Sequence, residues 1–453
     1  MEINVAFQWK CQPKAEALII KILDEAARCS DSIGALSDDL EKYTSTRLFD
    51  WLDHVAVGNS PEVENELLEN GFISDMATSA YRVFHHPGAQ LPRVVVYDEH
   101  KEAIQIAVIV DRIADFLMAR NISARIEGTP FSEYRRCCAS KDGYVSLWIV
   151  ERRGALTMEP VYHDEGYLER YFDAQERWKS RPRDILDEEQ SLSKAIFIAQ
   201  DIVKMVGEDL AACIILECER EYWQARNTAG QIQKNRQDRH GMGWANHDHH
   251  TFRSSRSHFR HLVRLFEILG FHCRERFYAG KEAGWGAQVM ENPKSRLVLF
   301  LDVDLHEEEV AVDFAHHELP ELEELGTIGL WCALHGDSIL KAGMHHLEAQ
   351  FLFEELTEDL SRLGVDMMEP FSSFPYLKQA FTHGTVWPVE RSRVGQLLEA
   401  GKITKEHADK FLAYGAVGSH LENLQRREGY KGFNQKNVSF IIKKTDPRHH
   451  KIS

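Results

Sequence analysis

The order strand, helix, then further strands returns four times along this 453-residue chain, and that repetition limits the fold more than any other feature. The first round runs from a strand candidate over Arg47–Gly58 to a helix bounded by Ser60-Pro61 and Gly71, then to Tyr81–Phe84 and Arg93–Tyr97. Ser60 suits an N-cap, Pro61 the first helical position and Gly71 the C-terminal cap. The second round has strand Ala103–Val110, helix Asp111–Asn121 and further strands ending in Tyr144–Glu151. The third has a strand through His249, a helix Ser257–Gly270 with Phe259, Leu262, Val263, Phe266 and Leu269 on one stripe, and strands Trp285–Met290 and Arg296–Val303. The fourth starts at His346, continues in a helix Phe351–Leu363, and leads through strands to Glu390. Helical segments break the rhythm at the N-terminus and over 164–240. The expected fold class is α+β, with paired βαβββ modules forming open barrels. The expected division is a helical segment 1–46, a first module pair 47–160, a helical connector 161–243, a second module pair 244–440 and a tail 441–453.

A net charge of -17 opposes nucleic-acid binding, because phosphate contact needs a basic surface. No stretch approaches the roughly 20 apolar residues that span a bilayer. Met1–Phe7 lacks the basic and apolar regions of a secretion signal. The eight cysteines show no zinc-type pairing, so free thiols in a reducing cytoplasm are expected.

Histidines and carboxylates cluster in the second module pair. Alternate residues of a strand share a face, so His247, His249, Thr251 and Arg253 are expected to point one way, and His250 and Phe252 the other. Likewise His346, Glu348 and Gln350 share a face, while His345 points away with Leu347. Glu390 follows the apolar run Val386-Trp-Pro-Val389, where a buried carboxylate needs a metal or a salt bridge to Arg391 or Arg393. Two imidazoles and one carboxylate from separate strands can hold a ferrous ion on one face and leave the other open. A polar edge strand and a buried, hydrogen-bonded histidine are the competing readings. The doublets His85-His86 and His316-His317 read as surface, and Gly241-Met-Gly-Trp244 lacks the flanking strand of a dinucleotide loop.

The module pattern resembles the vicinal oxygen chelate superfamily. Residues 245–440 resemble more narrowly the 2-oxoadipate dioxygenase/decarboxylase family, which makes 2-hydroxyglutarate. The resemblance rests on His249-His-Thr-Phe-Arg253 before a helix ending Ile268-Leu-Gly270, on His345-His346-Leu-Glu-Ala-Gln350, and on Glu390-Arg-Ser392. It implies His249, His346 and Glu390 as metal ligands and Arg253 as the contact for a substrate carboxylate. Gln350 stands where the family has Arg, which implies altered substrate recognition. Leu52-Asp-His54-Val-Ala-Val57 and Glu151 carry a weaker likeness in the first pair, whose strand 103–110 has no histidine, so that half is expected to be metal-free. The implied activity is that of a cytoplasmic Fe(II) dioxygenase that converts a 2-oxo acid and O2 to a 2-hydroxy acid and CO2. Two alternatives stay open: an oxygen-independent lyase or isomerase of glyoxalase type using Zn(II), Mn(II) or Ni(II), and a non-catalytic small-ligand-binding protein. No nucleic-acid or membrane partner is expected, and oligomerisation is left open.

Overall fold

A computed structural model describes residues 9–98, 103–183, 187–434 and 445–449. The N-terminal residues read for a secretion signal, and all but five of the expected tail, lie outside this set. Helices α1 (Pro13–Cys29) and α2 (Asp31–Thr44) come first. The first module is β1 (Leu52–Gly58), α3 (Pro61–Glu69), β2 (Ile73–Ala77), β3 (Tyr81–His85) and β4 (Arg93–Tyr97). The second is β5 (Ile104–Ile109), α4 (Ile113–Ala119), β6 (Tyr134–Asp142) and β7 (Val145–Arg152). Four connector helices follow: α5 (Tyr167–Lys179), α6 (Glu188–Val206), α7 (Glu208–Gln224) and α8 (Thr228–Asp238). The third module is β8 (His247–Arg253), α9 (Phe259–Ile268), β9 (His272–Tyr278), β10 (Trp285–Asn292) and β11 (Leu297–Asp304), with α10 (Thr327–His335) after it. The fourth has β12 (His346–Ala349), α11 (Phe353–Arg362), β13 (Ser372–Phe374), β14 (Leu377–Phe381), β15 (Thr385–Trp387), α12 (Arg391–Glu399), α13 (Lys405–Tyr414) and β16 (Ala416–Arg426).

Each pair of modules makes one open mixed sheet. The first has the order β2-β3-β4-β1-β5-β7-β6, the second β13-β14-β16-β12-β8-β11-β10-β9, with β15 on β16. In every module the last strand returns parallel to the first: β4 on β1, β7 on β5, β11 on β8 and β16 on β12. The two first strands of a pair then meet antiparallel, β1 with β5 and β8 with β12. The fold is therefore α+β with paired βαβββ-type modules.

Two boundaries differ from the sequence reading. Leu48–Trp51 forms a 3-10 turn before β1, stabilised by Asp50, which accepts from the Arg47 backbone N–H at 3.0 Å. In the fourth module the strands do not end near Glu390. Helices α12 and α13 intervene, and the closing strand is β16.

Helix α9 buries Phe259, Leu262, Val263 and Phe266 on one face. At about 1.5–3 kcal/mol per fully buried large apolar side chain, that stripe supplies roughly 6–12 kcal/mol before entropy is subtracted. The connector shares this core. Trp178, Ala195 and Ile215 pack in one cluster with Phe252, Phe266 and Leu301. Helices therefore cover one face of the second sheet, and its other face is left to line a cavity.

Candidate metal centre

Three neighbouring strands carry the site. The register β8–β12–β16 places His249, Glu348 and Glu422 side by side in one row. Because β12 lies between the other two, its glutamate reaches both neighbours. The ligand atoms of these three buried residues lie within 4.8 Å of one another. His249 Nε2 is 3.0 Å from Glu348 Oε1. His346, one pair further along β12, also meets Glu348 through Nε2 and lies 3.5 Å from Glu422 Oε2. Two imidazoles and two carboxylates thus converge.

The surroundings of His249 orient its imidazole toward the other donors. His249 Nδ1 lies 3.1 Å from Asp248 Oδ1, so the proton belongs on Nδ1 and the Nε2 lone pair faces the other donors. Arg426 donates from Nε and Nη2 to Asp248 at 3.0 and 3.1 Å. Burial opposes ionisation of Asp248, but Arg426 and His249 hold its carboxyl below the ordinary range. Glu348 accepts from Thr251 Oγ1 at 2.8 Å, and Glu422 from Gln379 Nε2 at 3.0 Å. Phe300 and Phe433 flank the His249 ring, with centroids 4.6 and 4.8 Å away.

The charge balance fits a divalent cation. Burial holds His249 down to about 4 and His346 well below the usual imidazole value, so both are neutral donors at pH 7. Burial raises Glu348 well above the carboxylate range, and the neighbouring Glu422 raises it further. Glu422 is pushed up to about 8, again chiefly by burial. Among the described residues neither glutamate forms an ion pair with Lys or Arg and Glu348 Oε2 has no hydrogen-bond partner. Two buried carboxyl groups with no cationic side chain on them are costly unless protonated or metal-bound.

Of the residues singled out in the sequence, His249, His346 and Arg253 line this cavity. Arg253 Nε stands 3.9 Å from Asp302 Oδ2, and neither its Nε nor its Nη1 finds a hydrogen-bond partner among the described residues. Glu390 is elsewhere. It is the exposed N-cap residue of α12, paired with Lys341 and 3.9 Å from Arg393. This corrects the expected third ligand, because the helical insertion moves the fourth module's closing strand to β16. Gln350 also leaves the site. The register slips between Glu348 and Ala349, and Gln350 Nε2 turns to Asp248 at 3.4 Å, beside a separate cleft between the two halves. The same slip puts His247 against His250 instead of on the His249 face. His345, expected to point away, lines the cavity with its Nδ1 2.5 Å from that of His346. Thr251 faces the cavity as expected, while Phe252 enters the helical core and His250 accepts from Arg220 at 3.0 Å.

Glu422 and Asp302 escaped the sequence reading. The signal for Glu422 was present: a lone acid between Leu421 and Leu424 in a strand-like run after Gly418. In the first half, His54 pairs with Asp53 at 2.7 Å, and Glu151 is held by Arg135 and Arg153 at 2.8 and 2.7 Å.

The row has a donor set that could hold a metal ion, and it lies on a sheet built from paired βαβββ-type modules. No family model matches the sequence, and no match was found among curated proteins. Solved structures give distant likenesses. A mutant 4-hydroxymandelate synthase from Streptomyces coelicolor is 12% identical, with 86% of this chain and 96% of that one covered and a TM-score of 0.27. The Mn(II)-bound glyoxalase from Novosphingobium aromaticivorans is 10% identical over 84% and 83%, with a TM-score of 0.20. Methylmalonyl-CoA epimerase from Mycobacterium tuberculosis is 11% identical over 40% and 88%, with a TM-score of 0.23. At such scores none of them bears on the roles of individual residues, which rest on the chain's own strand order and side chains.

Proposed function

We propose that this chain is a metal-dependent enzyme acting on a small 2-oxo acid, with the dioxygenase/decarboxylase outcome of a 2-hydroxy acid and CO2. One observation carries the reading: the buried row His249–Glu348–Glu422, joined by His346, shares a cavity with an arginine whose donors are unfilled. In this reading His249, His346 and one carboxylate of the Glu348–Glu422 pair would hold the ion, with Fe(II) first and Zn(II), Mn(II) or Ni(II) as competitors. When bound, the metal supplies a template and a Lewis acid. The protein's own residues do the rest. Asp248 keeps the His249 proton on Nδ1. Phe300, Phe381 and Phe433 exclude water. Arg253 binds and orients a substrate carboxylate through charge-assisted hydrogen bonds. Eight free cysteines suit a reducing compartment such as the cytoplasm, and no described helix is long and apolar enough to cross a membrane.

A second reading, an oxygen-independent lyase or isomerase, gains from the second carboxylate. If all four side chains ligate a six-coordinate ion, two positions remain, enough for a chelating 2-oxo acid but not for a co-substrate as well. Metal analysis of protein purified without added metal, followed by oxygen uptake and CO2 release on a panel of 2-oxo acids, tests both. Matched oxygen consumption and CO2 release supports the first. Turnover under argon supports the second. Binding without turnover would reduce the protein to a ligand carrier, and absence of bound metal would sink both enzymatic readings.

A further inference from the structure

Beyond the metal donors, the cavity has a second polar region that the proposed activity leaves unexplained. Asp302 on β11 stands in register with Arg253 on β8. Both are buried and both line the cavity. Their charged groups do not satisfy each other, since the nearest nitrogen-to-oxygen distance is 3.9 Å and a hydrogen bond needs about 3.2 Å or less. Asp302 Oδ1, Arg253 Nε and Nη1, and the indole Nε1 of Trp285, which lines the same cavity, have no partner among the described residues. Buried polar atoms are nearly always paired, so four unfilled ones in one cavity mark a place where a ligand supplies the partners.

The unfilled groups are of two kinds. Three N–H donors call for acceptor oxygens on the ligand. One carboxylate oxygen calls for a donor. A bare distal carboxylate would fill Arg253 and Trp285 but would leave Asp302 Oδ1 empty and crowd it with like charge. An ammonium beside a carboxylate fills both kinds.

Resting on the 2-oxo acid reading above, we propose that Asp302, Arg253 and Trp285 form a distal subsite for an α-amino acid head, so that the substrate is a 2-oxo acid carrying that head at its far end. Asp302 receives the ammonium, and Arg253 and Trp285 donate to the carboxylate. Burial pushes Asp302 up to about 7, against the pull of Arg253, and a bound ammonium would favour its charged form.

The test compares two acids by calorimetry on the manganese-loaded full chain under argon, where binding is read apart from oxygen-dependent turnover. One is 2-oxoadipate, with a distal carboxylate alone. The other is 2-amino-7-oxosuberate, with a distal amino acid head on a chain whose amine cannot close a five- or six-membered imine with its keto group. The wild-type protein should bind the second at least tenfold more tightly. Asp302→Asn, which keeps the side-chain volume, should abolish that preference, and a preference that survives the substitution overturns the subsite. Equal binding by the wild type overturns the subsite without touching the metal reading. So does a preference for 2-oxoadipate, in which case Asp302 lends its own proton to a distal carboxylate. Protein that takes up manganese yet binds neither acid overturns the 2-oxo acid reading and the subsite with it.

Discussion

The same Glu-to-Gln substitution should have opposite consequences at two positions. Glu390→Gln removes an exposed partner of Lys341 and should leave metal content unchanged, with a stability loss of no more than about 1 kcal/mol. Glu422→Gln removes a buried carboxyl that could ligate a metal and should lower metal content well below that of the wild type, as read by elemental analysis after gel filtration. Equal metal loss in the two variants would return Glu390 to the site. Glu422 also sets a pH dependence. Burial raises its folded value to about 8 from 4.5, so the folded protein keeps a proton that the unfolded chain has released. Its contribution to stability is fully present below 4.5 and is lost as pH rises through about 8. Melting temperature of the metal-stripped protein should therefore fall across that window more steeply in the wild type than in Glu422→Gln, and matching slopes would contradict the assignment. At Arg253, replacement by Lys keeps a charge but loses the planar guanidinium. Arg253→Lys should retain metal and lose about 1.5–3 kcal/mol in kcat/KM, the range for a hydrogen bond to a charged group. The loss should concentrate on substrates with a distal carboxylate, whether or not an amino group accompanies it. An equal loss on monocarboxylic 2-oxo acids would mark Arg253 as structural.

At the scale of elements, the connector is locked to the second half by one buried carboxylate. Glu219 on α7 accepts from Trp178 Nε1, Arg181 Nη2 and Arg183 Nη2, each at 2.7 Å. Arg181 and Arg183 also donate to the backbone oxygens of Ile339 and Leu340, at 3.0 and 3.1 Å, just before β12. Removing one partner of a buried ion pair strands the other charge, at about 3–5 kcal/mol. Glu219→Gln should therefore lower the urea midpoint sharply while the folded fraction still binds metal at wild-type stoichiometry. A variant as stable as the wild type would mean that the backbone contacts suffice without the charge. The fourth module shows how far an element can be displaced without altering the sheet. Two helices separate β15 from β16, yet β16 still pairs with β12 in the row that aligns Glu422 with Glu348.

Over the whole molecule, the segment Gly241–Trp244 stitches the two halves together. Met242 is buried in the core of the first half and Trp244 in that of the second. Asp111 N–H donates to the Met242 carbonyl at 3.3 Å, and Trp244 N–H donates to Asp111 Oδ2 at 2.7 Å. Gly243 has φ +67°, and a Cβ there would stand 2.1 Å from Asp111 Oδ2. Gly243→Ala should thus cost about 1–3 kcal/mol from backbone strain and displaced contacts. It should also weaken the coupling of the halves, seen as a broadened or split calorimetric transition. One sharp transition at the wild-type temperature would show that the junction bears no load.

What the sequence determined by itself was the local and periodic part. Strand and helix periods, together with the caps at Ser60 and Gly71, are set by each residue's neighbours in the chain, so the repeated modules and the shared face of His249, Thr251 and Arg253 were legible there. The partners of that face were not. Glu422 lies more than 170 positions from His249 and reaches it only through β12, so it becomes a candidate once strand order and register exist. One register slip after Glu348 sends Gln350 and His247 to another cleft, because a shift of one residue reverses the face. Glu390 and Glu422 are both acids beside apolar runs. Only the packing of α12 and α13 between them decides that the first meets solvent and the second meets the histidines.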